Sequence, residues 1–410
     1  MKIMVVVGAR PNFMKAAPVV FAIHDHNAKT SAAEKIQLVL VHTGQHYDEA
    51  MSGSFFSDLG LPKPDVHLEV GSGSHAVQTA EIMRRFETVV LEEKPDLVLV
   101  FGDVNSTVAC ALVTSKMSFD SNGKRPLIAH VEAGLRSFDR AMPEEINRVI
   151  TDHLSDLLFV TEESGRENLR HEGIAPEKIH FVGNTMIDSL LASQEKAERS
   201  TIHEQFGLRN NANGSSGGFR RYALLTLHRP SNVDDRETFL SILQGLDELS
   251  KSHPILFSAH PRTRKRISEF GLDHFFSSNQ EFGIRLLEPL GYLDFLCLTK
   301  NASLVVTDSG GIQEETTCLR VPCVTVRENT ERPVTVTHGT NVIAGTNSGN
   351  IRRAVADQLR GQKQSSIPEK WDGHAAERIV KTIVQEFQQS ESRFNSRKAS
   401  FGAIPVANGR

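Results

Sequence analysis

The chain has 410 residues, of which 39% are hydrophobic and 23% charged, and its formal net charge at neutral pH is −4. This balance is typical of a globular protein and excludes a chain that is disordered throughout. It also lacks the basic surplus with which general nucleic-acid binders hold a phosphate backbone, so we predict no nucleic-acid partner. At roughly 150 residues per domain, the length predicts two or three domains.

Four cysteines lie inside apolar stretches, at spacings that fit neither a zinc site nor a disulfide framework: Cys110, Cys297, Cys318 and Cys323. We predict buried thiols in a reducing compartment. No run approaches the ~20 consecutive apolar residues of a membrane span, and residues 1–8 resemble a first buried strand more than a signal peptide. The sequence therefore predicts a cytoplasmic protein with no membrane segment.

Short apolar, β-branched runs recur along the chain, with helical periodicity between them. Strands that are apolar throughout are covered on both faces, as in a parallel sheet, and their alternation with helices indicates βαβ units. Six runs precede residue 190 and six follow residue 220, which predicts an α/β protein with two facing, doubly wound, Rossmann-like domains. The runs are Ile3–Val7, Leu38–Val41, Leu97–Phe101, Leu127–His130, Leu157–Val160, Ile179–Val182, Ala223–Leu227, Ile255–Ser258, Ile284–Leu287, Leu304–Val306, Cys323–Val326 and Val342–Ala344.

The boundary between the domains is predicted near residue 190, with a linker directly after it. We assign residues 1–190 to an N-terminal domain and residues 191–372 to a C-terminal, ligand-binding domain. A helix at about 373–390 is expected to pack back on the first domain, and residues 391–410 are expected to form a disordered tail. The polar, glycine-rich stretch 210–218 is expected to be a surface loop.

Two such domains leave a cleft lined by the carboxyl ends of both sheets, where open α/β sheets bind their ligands. Arg10 and Lys15 follow the first strand, at a helix start that favours anions, unless they are solvated surface cations. No GxGxxG follows this strand, which argues against a nicotinamide dinucleotide. His42 and His46 flank a Thr-Gly-Gln turn after the second run, and this pattern fits a site as well as it fits a structural role.

Three carboxylates are predicted to converge at the first sheet. Asp103 follows the third run and Glu132 the fourth, while Glu144 begins a helix that carries Arg148 one turn later. Taken singly, Asp103 is also explained as a helix cap, and Glu144 with Arg148 as a surface salt bridge. Together the carboxylates provide what acid/base chemistry on a sugar needs, because close spacing pushes their pKa values apart.

The second half of the chain places cations at strand ends. His228 and His260 end parallel strands, each with an arginine nearby, and Arg332 follows a later strand. Cations that converge at one sheet edge favour a phosphate ligand. We therefore expect these three side chains to line the same cleft.

The strongest local signal is a helix start with a serine and two glycines, Ser309, Gly310 and Gly311. Without a Cβ, the two glycines expose helix N–H groups to an anion. Glu315 lies one turn into this helix, where it is placed to accept hydrogen bonds from ribose hydroxyls. An ordinary capping loop is the alternative interpretation.

In this order, the motifs resemble those of the non-hydrolysing UDP-N-acetylglucosamine 2-epimerases. The resemblance runs from Gly8 to about Gly345 and includes HVEAGLR at 130–136, PEEINR at 143–148 and DSGGIQEE at 308–315. It implies the GT-B fold, interconversion of UDP-GlcNAc and UDP-ManNAc, and no redox cofactor or metal. It further implies a cytoplasmic homodimer with a role in cell-surface polysaccharide biosynthesis.

The resemblance also implies roles for individual residues. Those that match the family's catalytic site are Arg10, Lys15, Asp103, Glu132, Glu144, Arg148 and His228. Those that match its UDP site are Arg10, His228, Phe295 (whose main chain faces the uracil), Ser309, Gly310, Gly311, Glu315 and Arg332. Part of an effector site for a second UDP-GlcNAc corresponds to Gln45, His46 and Asp48.

The implied reaction is an anti elimination of UDP, which gives a 2-acetamidoglucal, and its re-addition after protonation of C2 on the opposite face. Which of the three carboxylates is the acid and which the base stays open. Tyr47-Asp48 and Pro230-Ser231 depart from the bacterial pattern, which predicts weak activation by UDP-GlcNAc. The alternatives are a related substrate such as UDP-2,3-diacetamido-2,3-dideoxy-glucuronic acid, hydrolysis to ManNAc and UDP, glycosyl transfer, and a non-catalytic sugar-nucleotide sensor.

Overall fold

The computed structural model describes residues 1–45, 59–120, 124–209, 219–276, 282–361 and 363–401, apart from the side chains of Arg10 and of residues 390–401. The predictions that concern His46, Tyr47, Asp48 and the loop 210–218 therefore fall outside the described residues. Residues 402–410 of the predicted tail lie outside them as well.

The N-terminal half builds a seven-stranded sheet in which all neighbouring strands run parallel. The strand order is β3-β2-β1-β4-β5-β6-β7. The short β3 was not predicted, because two residues carry no periodic signal. The strands are β1 Lys2–Val7, β2 Gln37–His42, β3 Val66–His67, β4 Leu97–Phe101, β5 Leu127–Ala133, β6 Leu157–Val160 and β7 Ile179–Phe181.

Helices cover both faces of this sheet, as its apolar strands require. The second helix illustrates the local rules: Ser74 caps it by accepting from the Val77 N–H, and Ile82, Phe86 and Val90 recur at helical spacing on its buried face. The helices are α1 Arg10–Lys29, α2 His75–Glu93, α3 Asn105–Lys116, α4 Pro143–Leu154, α5 Glu163–His171 and α6 Thr185–Glu198.

The C-terminal half builds a six-stranded parallel sheet with the order β10-β9-β8-β11-β12-β13. The two doubly wound sheets predicted from the sequence are thereby confirmed. The strands are β8 Ala223–Thr226, β9 Ile255–Ser258, β10 Ile284–Leu287, β11 Leu304–Thr307, β12 Cys323–Thr325 and β13 Asn341–Ile343. The helices are α7 Ile202–Gln205, α8 Pro230–Val233, α9 Arg236–Gly245, α10 Asp247–Ser250, α11 Pro261–Glu269, α12 Tyr292–Asn301, α13 Gly310–Leu319, α14 Pro333–Thr337, α15 Ser348–Leu359 and α16 Ala375–Phe401.

Helix α6 connects the two sheets. It packs on α1 on one side and on α12 and α13 on the other, and Leu190 on it is fully buried. The segment directly after residue 190, which was predicted as a linker, lies in this packed helix up to Glu198, and the domain boundary at residue 190 stays a prediction. Asp188 on α6 accepts from the N–H groups of Ala375 and Ala376 at 3.2 and 2.8 Å. This holds the start of α16, which packs on α1 and continues past residue 391 to Phe401.

In each sheet the strand order reverses at a central pair, β1 and β4 in the first and β8 and β11 in the second. Ligands of open α/β sheets bind beside the carboxyl ends of such strands. The loops and helices that directly follow these four strands carry half of the predicted site residues, namely Arg10, Lys15, Asp103, His228, Ser309, Gly310, Gly311 and Glu315. Within the described ranges, none of the helices combines the length and the apolar composition needed to cross a bilayer.

Candidate active site

Glu132 lies at a β-bulge near the end of β5. The register with β6 shifts between Val131 and Ala133, and the φ angle of Glu132 is 73°, in a region that residues with a Cβ rarely adopt. A bulge of this kind re-aims its side chain. The Glu132 carboxylate is buried and meets the buried ammonium of Lys15, with an Nζ–Oε1 distance of 2.7 Å.

Lys15 reaches this carboxylate by passing over Gly102. A Cβ built on Gly102 would lie 2.8 Å from Lys15 Nζ, and the φ angle of Gly102 is 61°. The positive φ angle favours glycine here, and a Cβ would displace the Lys15 ammonium. From this position the Lys15 ammonium also lowers the pKa of Asp103, the residue after Gly102.

Asp103 pairs with Arg148, whose Nη2 contacts its Oδ2. Burial by itself would raise the pKa of Asp103, but the charges of Arg148 and Lys15 outweigh it and hold that pKa below its ordinary value. The alternative interpretation as a helix cap is wrong, because Val104 is the N-cap of α3 and no side chain caps that helix. Asp103 is thus an ionised group held between two cations.

The partner of Arg148 on its own helix is Glu145 and not Glu144. Arg148 Nη1 contacts the Glu145 carboxylate, which also accepts from the main-chain N–H groups of Ser137 at 3.0 Å and Phe138 at 2.9 Å. The alternative interpretation as a Glu144–Arg148 surface salt bridge is therefore wrong, because the preceding loop turns Glu145 inward. Glu144 is half-buried at the first turn of α4, and it forms no ion pair within the part of the chain that the structure describes.

Arg332 is buried among three carboxylates. Its Nε lies 2.8 Å from Glu314 Oε1, its Nη1 2.6 Å from Glu331 Oε1, and its Nη2 3.2 Å from Glu132 Oε1. Glu132 belongs to the first sheet and the other two to the second half, so the guanidinium bridges the cleft. The sequence predicted Arg332 beside phosphates; in this structure its nitrogens face carboxylates instead.

The start of α13 also lies beside this guanidinium. A Cβ on Gly310 would lie 2.4 Å from Arg332 Nη1, whereas the nearest atom to a Cβ on Gly311 would be Met186 Cε at 3.6 Å. Ser309 is the N-cap residue, but its side chain makes no capping hydrogen bond, so the capping-loop interpretation is not supported. Glu315 is buried on the same helix.

His228 is held by Asp308, a residue that the sequence analysis did not select. His228 Nδ1 lies 2.9 Å from Asp308 Oδ1, and Asp308 also accepts from the main-chain N–H groups of His228 and Arg229 and from Asn232 Nδ2. The His228 side chain is 56% exposed. Because Asp308 occupies Nδ1, Nε2 is the ring nitrogen left for a ligand. The only sequence signal was the Asp that precedes the Ser-Gly-Gly start of α13.

A second histidine–aspartate pair, in which both side chains are buried, supports the first sheet. His130 Nδ1 lies 2.7 Å from Asp152 Oδ1, and its Nε2 lies 2.7 Å from the Gly102 carbonyl oxygen. Asp152 also pairs with Arg136 at 2.8 Å and accepts from the Gly134 N–H at 3.1 Å. These contacts join the end of β4 to the residues on either side of the bulge at Glu132, so their role is to hold the site together.

Other predicted site residues have local roles in this structure. Gln45 Oε1 accepts from Ser106 N–H at 2.9 Å and from its hydroxyl at 2.7 Å, so this side chain joins β2 to α3. The Phe295 N–H donates to Gly291 O at 3.0 Å within α12, so a base that bound this N–H would compete with a helical hydrogen bond. The main-chain role of Phe295 stays a prediction.

His260 and its arginine do not join the cluster. The His260 ring accepts from the Arg262 N–H at 3.3 Å as the N-cap of α11, and Arg262 pairs with Asp234. The expectation that His260 lines the cleft is therefore not supported. Arg10 begins α1, but its side chain lies outside the described residues. The four cysteines are free and buried, as predicted.

Among the described residues, no group of three or more His, Cys, Asp and Glu side chains is arranged to hold a metal ion. The charges of the cluster are instead arranged as ion pairs between carboxylates and Lys or Arg. Such a cluster can exchange protons and bind an anion, provided that some of its cations turn from carboxylates to the ligand.

Known proteins similar to this chain include several UDP-sugar 2-epimerases. The family model described as UDP-N-acetylglucosamine 2-epimerase matches residues 28–384. A Methanocaldococcus jannaschii protein named UDP-N-acetylglucosamine 2-epimerase is 44% identical over 385 residues, which cover 93% of this chain and 99% of that protein. A Pseudomonas aeruginosa protein named UDP-2,3-diacetamido-2,3-dideoxy-D-glucuronate 2-epimerase is 39% identical over 388 residues, which cover 94% and 100%.

The fold is also shared with a solved structure. The crystal structure of M. jannaschii UDP-GlcNAc 2-epimerase in complex with UDP-GlcNAc and UDP has a TM-score of 0.81 to this chain, at 42% identity. The matched region covers 94% of this chain and all of that one. The likeness therefore includes both sheets and the cleft between them.

Proposed function

The chain belongs to the UDP-N-acetylglucosamine 2-epimerase family, and from that membership we propose that it interconverts UDP-GlcNAc and UDP-ManNAc without hydrolysis. The observation that carries this proposal is the pair of carboxylates at the end of the first sheet. Asp103 and Glu132 each contact a cation there, Arg148 and Lys15 respectively. Across the cleft, Arg332 connects Glu132 with the start of α13.

The C2 proton of the sugar has no carbonyl beside it and is barely acidic, so the reaction proceeds by elimination. A protein carboxylate takes this proton, and the C–H electron pair forms the C1–C2 double bond. The C1–O bond breaks, and its electron pair leaves with the β-phosphate oxygen of UDP. In the return step the electron pair of the C1–C2 double bond takes a proton at C2 on the opposite face, and the β-phosphate oxygen of UDP forms the new bond to C1. No electrons are gained or lost overall.

Two groups must exchange protons with C2, because the two faces of the sugar differ. We assign these steps to the set Asp103, Glu132 and Glu144. Asp103 begins ionised, since Arg148 and Lys15 hold its pKa low, and an ionised carboxylate can accept a proton. General acid/base groups of this kind typically contribute about 10²–10⁴-fold to a rate.

The diphosphate needs positive partners as it leaves. The N–H groups of Gly310 and Gly311 at the start of α13 and the exposed ring of His228 are the donors that we assign to it, with Arg10 as a further cation. Glu315 on the same helix is assigned to the ribose. The cross-cleft contact of Arg332 with Glu132 supports a closed arrangement that keeps water from the glucal intermediate.

Turnover of UDP-GlcNAc in D₂O, followed by NMR, tests the proposal. We expect UDP-ManNAc to appear and deuterium to enter C2 of both sugar nucleotides, because the proton lost to a carboxylate exchanges with solvent. Asp103→Asn is the matched variant: it is expected to bind UDP and to incorporate at least ~10²-fold less deuterium. Unlabelled starting sugar and no product would refute the epimerase function.

A second candidate substrate is UDP-2,3-diacetamido-2,3-dideoxy-glucuronic acid, which the 39% identity to the P. aeruginosa protein favours. The same assay run with this sugar nucleotide decides between the two, because the preferred substrate has the higher kcat/KM. The products also separate epimerisation from hydrolysis, since free ManNAc together with UDP appears only if water attacks the sugar.

We further propose that the enzyme is a cytoplasmic homodimer that supplies a precursor of cell-surface polysaccharides. Four free buried thiols, Cys110, Cys297, Cys318 and Cys323, suit a reducing compartment. Light scattering during gel filtration is the direct measurement of the oligomeric state. A mass that fits a single chain at all protein concentrations would contradict the dimer.

A further inference from the structure

The orientation of Arg332 is set by carboxylates on three of its nitrogens. Glu314 on α13 meets Nε at 2.8 Å and Glu331 meets Nη1 at 2.6 Å, and both belong to the same half of the chain as Arg332. A guanidinium is planar and rigid, so fixing two of its nitrogens determines where the third nitrogen points. The third nitrogen, Nη2, points across the cleft to Glu132 Oε1 at 3.2 Å.

The two carboxylates that fix Arg332 have different surroundings. Glu331 has further cationic partners, Arg327 at 2.9 Å and Arg229 at 3.4 Å. Glu314 is completely buried, and Arg332 is the cation it contacts among the described residues. Neither of its oxygens accepts a well-directed hydrogen bond within that part of the chain. Burying a carboxylate in this way is unfavourable, so stability does not account for its presence.

The charges facing Glu314 come from both halves of the chain. Arg332 and Lys15 are positive, whereas Glu132 and Glu162 are negative. Burial is the largest effect and raises the pKa of Glu314 to about 7, even though Arg332 and Lys15 act in the opposite direction. Near neutral pH this carboxyl group is therefore present in a neutral and an ionised form. The ionised form neutralises more of the positive charge of Arg332 than the neutral form does.

We propose that Glu314 is a positioning residue for the epimerisation, which acts on the reacting sugar only through Arg332. By holding Nε, it keeps the guanidinium between the start of α13, where the diphosphate is assigned, and Glu132, which is assigned to proton transfer. Neutral Glu314 leaves more of the positive charge of Arg332 to the leaving diphosphate than ionised Glu314 does. This inference rests on the proposed epimerase function and adds a residue that the sequence analysis did not select.

Kinetics of Glu314→Ala and Glu314→Gln, with UDP-GlcNAc as substrate, test the inference. Glu314→Ala removes the contact with Nε, so we expect kcat to fall by at least about tenfold and KM to change by less than about threefold. Glu314→Gln keeps the shape and is neutral at every pH. It is expected to keep most of kcat and to lose the decline that ionised Glu314 imposes on the wild type above pH ~7.

Glu163→Gln is the control, because Glu163 is half-exposed on α5 and pairs with Arg166 on the same helix. Its kinetics are expected to match those of the wild type.

Wild-type kcat and pH profile in both Glu314 variants would overturn the positioning role and leave the epimerase function intact. Lower thermal stability with unchanged kcat per folded enzyme would overturn it too. If the wild type converts no UDP-GlcNAc, both proposals fail. Should Glu314→Ala not fold, the pH profile of Glu314→Gln decides.

Discussion

Gly310→Ala tests whether the Arg332 guanidinium lies over the start of α13. The added Cβ would lie 2.4 Å from Nη1, 2.8 Å from Cζ of Arg332 and 2.9 Å from Glu331 Oε1. Ordinary contact begins at 3.4 Å, so the guanidinium has to move by about 1 Å. It cannot do so freely, because carboxylates meet three of its nitrogens.

We expect this variant to lose about 1–3 kcal/mol of unfolding free energy, the usual cost of overpacking a filled site. Part of this loss comes from the Arg332–Glu132 contact across the cleft, which becomes longer when the guanidinium moves. Gly311→Ala is the matched control, since its Cβ would meet only Met186 Cε, at 3.6 Å. Both changes replace a glycine in the first turn of the same helix, where alanine is the better helix former by up to about 1 kcal/mol.

Urea denaturation of the wild type and the two variants is the assay. Gly311→Ala should be as stable as the wild type or more so, and Gly310→Ala should be less stable than both. Equal stability of the two alanine variants would refute the placement of the guanidinium over Gly310. In that case the approach of a ligand alone would explain the glycine at position 310.

Four further predictions concern carboxylates. Glu145→Gln should cost about 1–3 kcal/mol of unfolding free energy, because Glu145 accepts hydrogen bonds from two main-chain N–H groups and pairs with a buried arginine. Glu144→Gln should leave the melting temperature unchanged and lower kcat by at least ~10²-fold. Burial opposes the ionisation of Asp308, but His228 and main-chain donors lower its pKa overall. Its stabilisation is therefore present at neutral pH and is lost in acid, and the stability difference between wild type and Asp308→Asn should shrink below about pH 4. The pKa of Glu162 is raised to about 7, chiefly by burial, so its ionisation opposes folding; Glu162→Gln should stabilise the protein by about 1–3 kcal/mol above pH 7 and have little effect near pH 4. Thermal melts across this pH range check the direction in which pH changes the stability of the Asp308 and Glu162 variants relative to the wild type.

The individual strands were predictable because a strand covered on both faces is a continuous apolar run. Leu97–Phe101 and Leu304–Thr307 are fully buried strands of this kind. The exceptions have physical reasons. Val66–His67 is too short to show a period, and the crossing between the two sheets is a buried helix, Thr185–Glu198, whose apolar residues resemble those of any other helix.

The location of the site was likewise predictable, since parallel strands place the residues that follow them at one edge. Asp103, Glu132 and Lys15 were selected for this reason, and the structure brings them together. The pairing within the site was not predictable. Glu144 and Glu145 are adjacent in the sequence, and only the loop before α4 decides that Glu145 takes Arg148.

The fold class, the cleft and the residue types at its edges were predictable, because they follow from periodicity and from positions at strand ends. Folding of the whole chain creates the bulge that re-aims Glu132, the histidine–aspartate contact of His228, and the three carboxylates around Arg332. These features depend on distances between residues that are up to 200 positions apart. Local sequence cannot specify such distances, since they are set only when both sheets and the helices between them are packed.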